Sequence, residues 1–134
     1  GGYMVSWIAG HTDRYAALVN HAGVYDLYTQ FGSDFTSNRE IAYGGTPWDK
    51  PENMHRHNPA AFAENFKSPM LIIHGEQDFR VPIGHALTVY GVYKGIGLDA
   101  RLVYYPNENH WILQPQNSIF WYNELHSWFE RYLK

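Results

Sequence analysis

Two loops in the second half of the chain carry the side chains whose types and spacing could do chemistry. Asp78 follows the apolar run 70–74, and His110 follows the apolar run 101–105. A carboxylate that contacts an imidazole holds its tautomer and stabilises the imidazolium that forms when the ring accepts a proton. If the two side chains meet, they can serve as the acid and the general base of a hydrolase that uses a nucleophile.

The order of these two residues along the chain says more than either residue alone. A loop aspartate usually caps a helix or closes a turn, and one histidine among eight is a weak signal. Loops at the carboxyl ends of neighbouring parallel strands, however, meet at one edge of the sheet. An acid after one strand and a histidine after the next follow the chain order of α/β-hydrolases, in which the nucleophile precedes both.

The elements that position these loops form a regular α/β pattern. The uninterrupted apolar run 70–74 predicts a parallel strand that is covered on both faces. Pro82 opens a helix that runs to about Lys94, and a second strand covers 101–105. An amphipathic helix near 116–133 follows. Strand, helix, strand and helix in this order predict a right-handed parallel unit, and hence the α/β fold class.

The face that the middle helix buries is expected from its spacing. A stripe at helical spacing is predicted to pack against the sheet, and its members are Ile83, Leu87, Tyr90 and Lys94. His74, which ends the first of the two strands, is expected to be a hydrogen-bonded core histidine.

The first half of the chain gives weaker signals. We expect a short buried helix over 3–10, a buried strand over 16–22, and a helix with an aromatic-rich loop over 25–43. Gly, Pro and Asn residues favour turns throughout 44–59, and 60–66 is expected to form one or two helical turns.

Composition excludes several classes of function. Of the 134 residues, 45% are hydrophobic and 17% are charged, which excludes intrinsic disorder. The 13 acidic residues outnumber the 10 Lys and Arg residues, so nucleic acid is not an expected partner. No apolar run approaches the roughly 20 residues that span a bilayer, so no membrane partner is expected. The chain contains no cysteine, and His55 and His57 lack the acidic neighbours of a metal site; we expect no cofactor and no metal.

Four segments carry a resemblance to a known family. They are the opening Gly1-Gly2-Tyr3-Met4, the stretch 68–82 with its HGEQDFRVP sequence, the tripeptide 109–111, and the tail from Pro115 to Leu133. Together they resemble the C-terminal part of the catalytic domain of the prolyl oligopeptidase family, serine peptidases that include dipeptidyl and acylaminoacyl peptidases. The resemblance covers essentially the whole chain. It implies that residues 1–134 are the C-terminal portion of an α/β-hydrolase domain, truncated at its N-terminal side.

The resemblance also implies roles for individual residues. Asp78 corresponds to the triad acid and His110 to the general base, whereas the family's nucleophilic serine would lie two residues before Gly1. Ser6 is no substitute, because it lies in the following helix. Arg80 corresponds to an arginine that binds a substrate carbonyl. The remaining residues that correspond to the substrate pocket are Val81, Val24, Tyr25 and Tyr28.

The resulting functional hypothesis is a serine peptidase that hydrolyses short peptides through an acyl-enzyme in the intact protein. The fragment alone is expected to be inactive. Two alternatives remain open, a carboxylesterase of the same fold acting on small esters and a non-catalytic interaction fragment. The expected partners are a peptide substrate and either the missing N-terminal part of the protein or a second copy, bound through the unpaired edge of the strand at 16–22.

Overall fold

The structure, a computed structural model, describes residues 1–34 and 38–133. Residues 35–37, within the aromatic segment predicted at 25–43, lie outside this description. The elements follow one another as α1 (Gly2–Ala9), β1 (Leu18–His21), α2 (Leu27–Phe31), α3 (Arg39–Tyr43), α4 (Pro51–His57), a 3₁₀ helix (Pro59–Asn65), β2 (Met70–Gly75), α5 (Gly84–Gly95), β3 (Ala100–Tyr105) and α6 (Pro115–Tyr132).

The three strands form one parallel sheet in the order β1-β2-β3. Every residue of β2 is buried, because the strand has a neighbour on each side and helices on each face. In the described part of the chain β1 is an edge strand. The predicted α/β fold class, with parallel strands and flanking helices, is confirmed.

Alternate residues of β2 contribute to two separate cores. Met70 and Ile72 pack in one core with Val89 of α5, and Leu71 and Ile73 pack in the other with Trp128 of α6. The indole N–H of Trp128 also donates to the carbonyl of Leu18, at 3.1 Å, which ties α6 to the edge strand. A helix on each face explains why the apolar run is uninterrupted. No described helix is both long and apolar enough to cross a bilayer.

The turn predicted over 44–59 is wrong at its C-terminal end, because α4 occupies Pro51–His57. Pro51 stands at the first helical position, where the missing N–H would have no partner in the helix and the fixed φ angle suits the helical backbone. Asn58 then ends α4, and its side chain accepts a hydrogen bond from the amide of Ala60 in the next helix. Proline begins two helices in this segment rather than excluding them.

The stripe predicted for α5 is right for Ile83 and Tyr90, which pack against the core, and wrong for Leu87 and Lys94, which are exposed. Leu87 is 49% exposed, and the helix instead buries Ala86, Val89 and Tyr93. The phenol of Tyr93 donates to the carbonyl of Ser68, at 3.1 Å, and this bond requires that Tyr93 point towards the sheet. The face that α5 turns towards the sheet therefore combines this hydrogen bond with the packing of Ala86 and Val89 in the core.

His85 is buried at the start of α5 and acts as a hydrogen-bond acceptor. Its Nδ1 accepts from the amides of Tyr25 and Asp26, at 3.2 and 3.3 Å, so the proton of the neutral ring is on Nε2. Burial is the main reason that the pKa of His85 falls to about 4. The folded protein therefore holds this imidazole in its neutral form.

The free energy of unfolding is expected to fall as the pH drops from 6.5 towards 4. In this range the unfolded chain binds a proton at His85 and the folded chain does not, so the stabilisation is complete above about 6.5 and is lost below it. His85 should account for about 2 to 3 kcal/mol of this loss at pH 4.5. Urea unfolding at pH 7.5 and 4.5, followed by tryptophan fluorescence, measures it. His85→Asn keeps an acceptor near Nδ1 but cannot titrate, and an unchanged pH dependence in this variant would contradict the prediction.

Candidate active site

Three parallel strands end at one edge of the sheet, and a histidine or aspartate lies at or just beyond each end. His21 is the last residue of β1, Asp78 lies in the loop after β2, and His110 lies in the loop after β3. The carboxyl ends of adjacent parallel strands lie side by side, so the loops that follow them are neighbours. This topology brings the two residues predicted to do chemistry into direct contact.

Asp78 and His110 form a hydrogen bond in which Nδ1 of the imidazole donates to Oδ2 of the carboxylate, at 2.7 Å. A carboxylate can only accept, so the proton is on Nδ1. This leaves Nε2 as the basic nitrogen of the neutral ring. The pair thus has the arrangement in which an acid orients a general base.

The carboxylate of Asp78 is almost completely buried and has two further donors. Its Oδ1 accepts from the amide of Val81 at 2.8 Å, and its Oδ2 lies 3.3 Å from Nε2 of His74. Nε2 of His74 also lies 2.7 Å from the carbonyl of Val81 and therefore carries a proton, as expected of a hydrogen-bonded core histidine. Burial raises the pKa of Asp78, but the hydrogen bonds from His74, Val81 and His110 outweigh it and lower the pKa below its usual value.

The loops after β2 and β3 approach so closely that only glycine fits at the end of β2. A Cβ atom on Gly75 would lie 2.3 Å from the carbonyl oxygen of Asn109 and 2.4 Å from that of Glu108. The amide of Gln77 donates to the carbonyl of Glu108, at 3.0 Å, so pairing continues past the last strand residue. This contact places the segment that carries Asp78 beside the segment that carries His110.

Glu108 holds the His110 loop against the start of α6, a role that sequence reasoning missed. Its buried carboxylate accepts from the amides of Leu113 and Gln114, at 3.0 and 2.9 Å, and from the side chain of Asn117, at 2.8 Å. Burial raises the pKa of Glu108, but the bonds from Asn117 and the two amides lower it overall. Residue spacing gave no signal for this role, because the two amides belong to residues just before α6 and the third donor is the side chain of Asn117 in its first turn.

A cavity of about 460 Å³ lies beside His110. Three of the residues predicted to bind substrate line it together with His110, namely Arg80, Val81 and Val24. Arg80 is exposed, and its guanidinium has no hydrogen bond or ion pair with the part of the chain that the structure describes. Gln30, which sequence reasoning did not single out, donates to the main-chain carbonyl of Arg80 at 2.9 Å and so supports this wall.

The structure does not bring Tyr25 or Tyr28 to this cavity, contrary to the sequence expectation. Tyr25 is buried in the core, with its ring 6.3 Å from that of Phe66. Tyr28 lies on the outer side of α2 and donates to the carbonyl of Pro51, at 3.1 Å. The reason is local: Val24 faces the cavity and Tyr25 faces the core, so consecutive side chains lie on opposite sides of the chain.

Comparison with known proteins gives a consistent set of similarities. The sequence model of the Prolyl oligopeptidase family matches residues 1–134. The chain is 35% identical over 142 residues to Dipeptidyl-peptidase 5 of Porphyromonas gingivalis, covering 100% of this chain and 20% of that protein. It is 35% identical over 137 residues to Dipeptidyl-peptidase 5 of Schizosaccharomyces pombe, with the same coverage. The chain thus spans about a fifth of the length of the curated relatives it matches.

Solved structures are similar over the whole chain. An acylaminoacyl peptidase of Pyrococcus horikoshii superposes with a TM-score of 0.90 at 26% identity, over 98% of this chain and 22% of that one. An acylaminoacyl peptidase in complex with Z-Gly-Gly-Phe-chloromethyl ketone superposes with a TM-score of 0.87 at 28% identity, over 99% of this chain and 22% of that one.

Glu108→Gln is expected to lower the free energy of unfolding by about 2 kcal/mol and to loosen the His110 loop. The amide keeps the size of the carboxylate but removes its charge and turns one acceptor oxygen into a donor that faces N–H groups. Urea unfolding measures the loss, and amide hydrogen exchange at Leu113 and Gln114 reports the loop. The matched control is Glu64→Gln, an exposed position. Equal effects of the two substitutions would contradict the role assigned to Glu108.

Proposed function

The chain belongs to the prolyl oligopeptidase family, and from this premise we propose that it supplies the acid and the general base of a serine peptidase. The peptidase hydrolyses short peptides through an acyl-enzyme. The observation that carries the proposal is the 2.7 Å hydrogen bond from His110 to the buried carboxylate of Asp78. This bond supports the roles of both residues, because it places the carboxylate of Asp78 against Nδ1 and leaves Nε2 of His110 free to accept a proton.

In the proposed reaction, a serine hydroxyl attacks the carbonyl carbon of the scissile peptide bond and transfers its proton to Nε2 of His110. The carboxylate of Asp78, which its hydrogen bonds keep ionised, stabilises the imidazolium. His110 then gives the proton to the leaving amine as the C–N bond breaks. Water repeats the sequence on the acyl-enzyme, with His110 accepting its proton and returning it to the serine.

The nucleophile in this proposal is a serine that the polypeptide supplies before Gly1. Residues 1–3 line the same cavity as His110, so a residue joined to Gly1 would lie close to the base. Ser6 is fully buried and accepts a hydrogen bond from the side chain of Asn20, at 2.8 Å, which argues against a nucleophilic role. The 134-residue chain alone is therefore proposed to be inactive.

The same proposal gives β1 a partner. In the described part of the chain β1 has one strand neighbour, and an unpaired strand edge recruits another strand. We assign this edge to the preceding part of the same catalytic domain, and a second copy of the chain is the other occupant that the edge could accept. Residues 1–134 then form the C-terminal portion of the domain and not a complete unit.

Asp78→Asn and His110→Ala are each expected to lower kcat for dipeptidyl 4-nitroanilides by at least about 10³-fold in the polypeptide that carries the nucleophile. Asparagine can donate to Nδ1 and so favours the wrong tautomer, and alanine removes the base. Matched controls are Asp49→Asn and His126→Ala, both exposed positions. We expect less than a twofold change for them.

Two outcomes would contradict the proposed function itself. Hydrolysis by the 134-residue chain alone would show that the nucleophile lies within it. A chain that restores no hydrolysis when mixed with the preceding segment, although the two polypeptides associate, would favour a non-catalytic interaction role.

Substitution of Arg80 can distinguish a peptidase from an ester hydrolase. Its guanidinium is exposed at the cavity beside His110 and offers several fixed donors to a carbonyl of a peptide substrate. A small ester has no such neighbouring carbonyl. Arg80→Ala is therefore expected to lower kcat/KM for peptides about 100-fold and for 4-nitrophenyl acetate less than about threefold. The exposed Arg14→Ala serves as the control, and equal losses on both substrates would favour the esterase.

A further inference from the structure

The imidazole of His21 joins α6 to the loop that carries His110. Its Nδ1 accepts a hydrogen bond from the indole N–H of Trp121, at 3.0 Å. Its Nε2 lies 3.4 Å from the main-chain carbonyl oxygen of His110. His21 thus connects α6 and the His110 loop through Trp121 and His110, which are 100 and 89 residues further along the chain.

These contacts determine the tautomer of His21. An indole N–H can only donate, so Nδ1 of His21 carries no proton. The proton of the neutral ring is then on Nε2, where it faces an oxygen that can only accept. Both ring nitrogens have a partner in this state, whereas a protonated ring would place a second N–H against the indole N–H.

We propose that His21 is a positioning residue for His110. Trp121 keeps the neutral ring of His21 in its Nε2–H tautomer, and this N–H then holds the main-chain carbonyl of His110. This inference rests on the proposed function in that His110 is the general base. Asp78 orients the ring of His110, and His21 restrains the backbone from which that ring projects. A base whose ring and backbone are both restrained stays near the geometry that proton transfer requires.

The charged groups around His21 are compatible with a neutral ring. Burial is the main reason that the pKa of His21 is lowered. The hydrogen bond to His110 raises this pKa, the imidazoles of His74 and His110 lower it, and the carboxylate of Asp78 raises it. From α6 the ring meets the uncharged indole of Trp121, and the phenol ring of Tyr122 packs beside that indole, with the ring centroids 4.8 Å apart.

Imidazole ¹⁵N NMR of the 134-residue chain tests the arrangement without any need for activity. We expect His21 to show the Nε2–H tautomer at pH 8, and His110 to show a low-field Nδ1–H proton from its bond to Asp78. Trp121→Phe keeps a ring in place but removes the donor, so His21 should become a mixture of tautomers with a raised pKa. His21→Phe should broaden the low-field proton of His110. A wild-type His21 in the Nδ1–H form, or an unchanged His110 signal in His21→Phe, would overturn the proposal.

Kinetics of the polypeptide that carries the nucleophile separate positioning from substrate binding. His21→Phe is expected to lower kcat about 10-fold with less than a twofold change in KM. His21→Gln, whose amide can still donate to the carbonyl of His110, should recover most of that loss. The control Trp48→Phe, at a position that is 77% exposed, should leave both constants unchanged. An unchanged kcat in His21→Phe would overturn the proposal, and a loss confined to KM would do the same.

The two tests distinguish failure of this inference from failure of the proposed function. If the complete polypeptide hydrolyses no peptide but the NMR pattern and its response to His21→Phe are as expected, the peptidase proposal fails and the positioning of His110 by His21 is supported. If hydrolysis depends on Asp78 and His110 but not on His21, only the inference about His21 fails.

Discussion

The carboxylate of Asp78 is a buried charge at the edge of a parallel sheet, and such a group is tolerated only with hydrogen-bond donors around it. The donors come from a strand residue, from the turn after β2, and from the loop after β3: His74, Val81 and His110. The hydrogen bonds to this one carboxylate therefore bring together segments that are distant in the sequence. The same bonds lower the pKa of Asp78, so the carboxylate that orders this edge of the sheet also stays ionised.

The surrounding structure keeps these donors in position. Gly75 lets the loops after β2 and β3 come into contact, and Glu108 attaches the second loop to the start of α6. His21 extends the same arrangement to β1. Loops are normally the most mobile parts of a fold, so His110, which a loop carries and for which we propose the role of base, needs supports of this kind. The supports from Glu108 and His21 are hydrogen bonds, which makes them directional in a way that apolar packing is not.

The proposed nucleophile can be related to the same edge of the sheet. Asp78 and His110 lie after β2 and β3, and residues 1–3 line the cavity beside His110. A nucleophile supplied there would complete the constellation without any change in the positions of Asp78 and His110.

Local pattern was enough to predict the sheet and the contact between Asp78 and His110. The apolar run of β2 is unambiguous because a strand covered on both faces needs no alternation, and the order of Asp78 and His110 follows from which strand each residue succeeds. Contacts between distant segments decided the rest. The rotation of α5, the removal of Tyr25 from the cavity, and the roles of Glu108 and His21 depend on which groups meet across the fold. Residue spacing along a helix or strand shows which of its faces are apolar or polar. It does not show which residues lie opposite those faces, because these contacts form only when helices and strands pack.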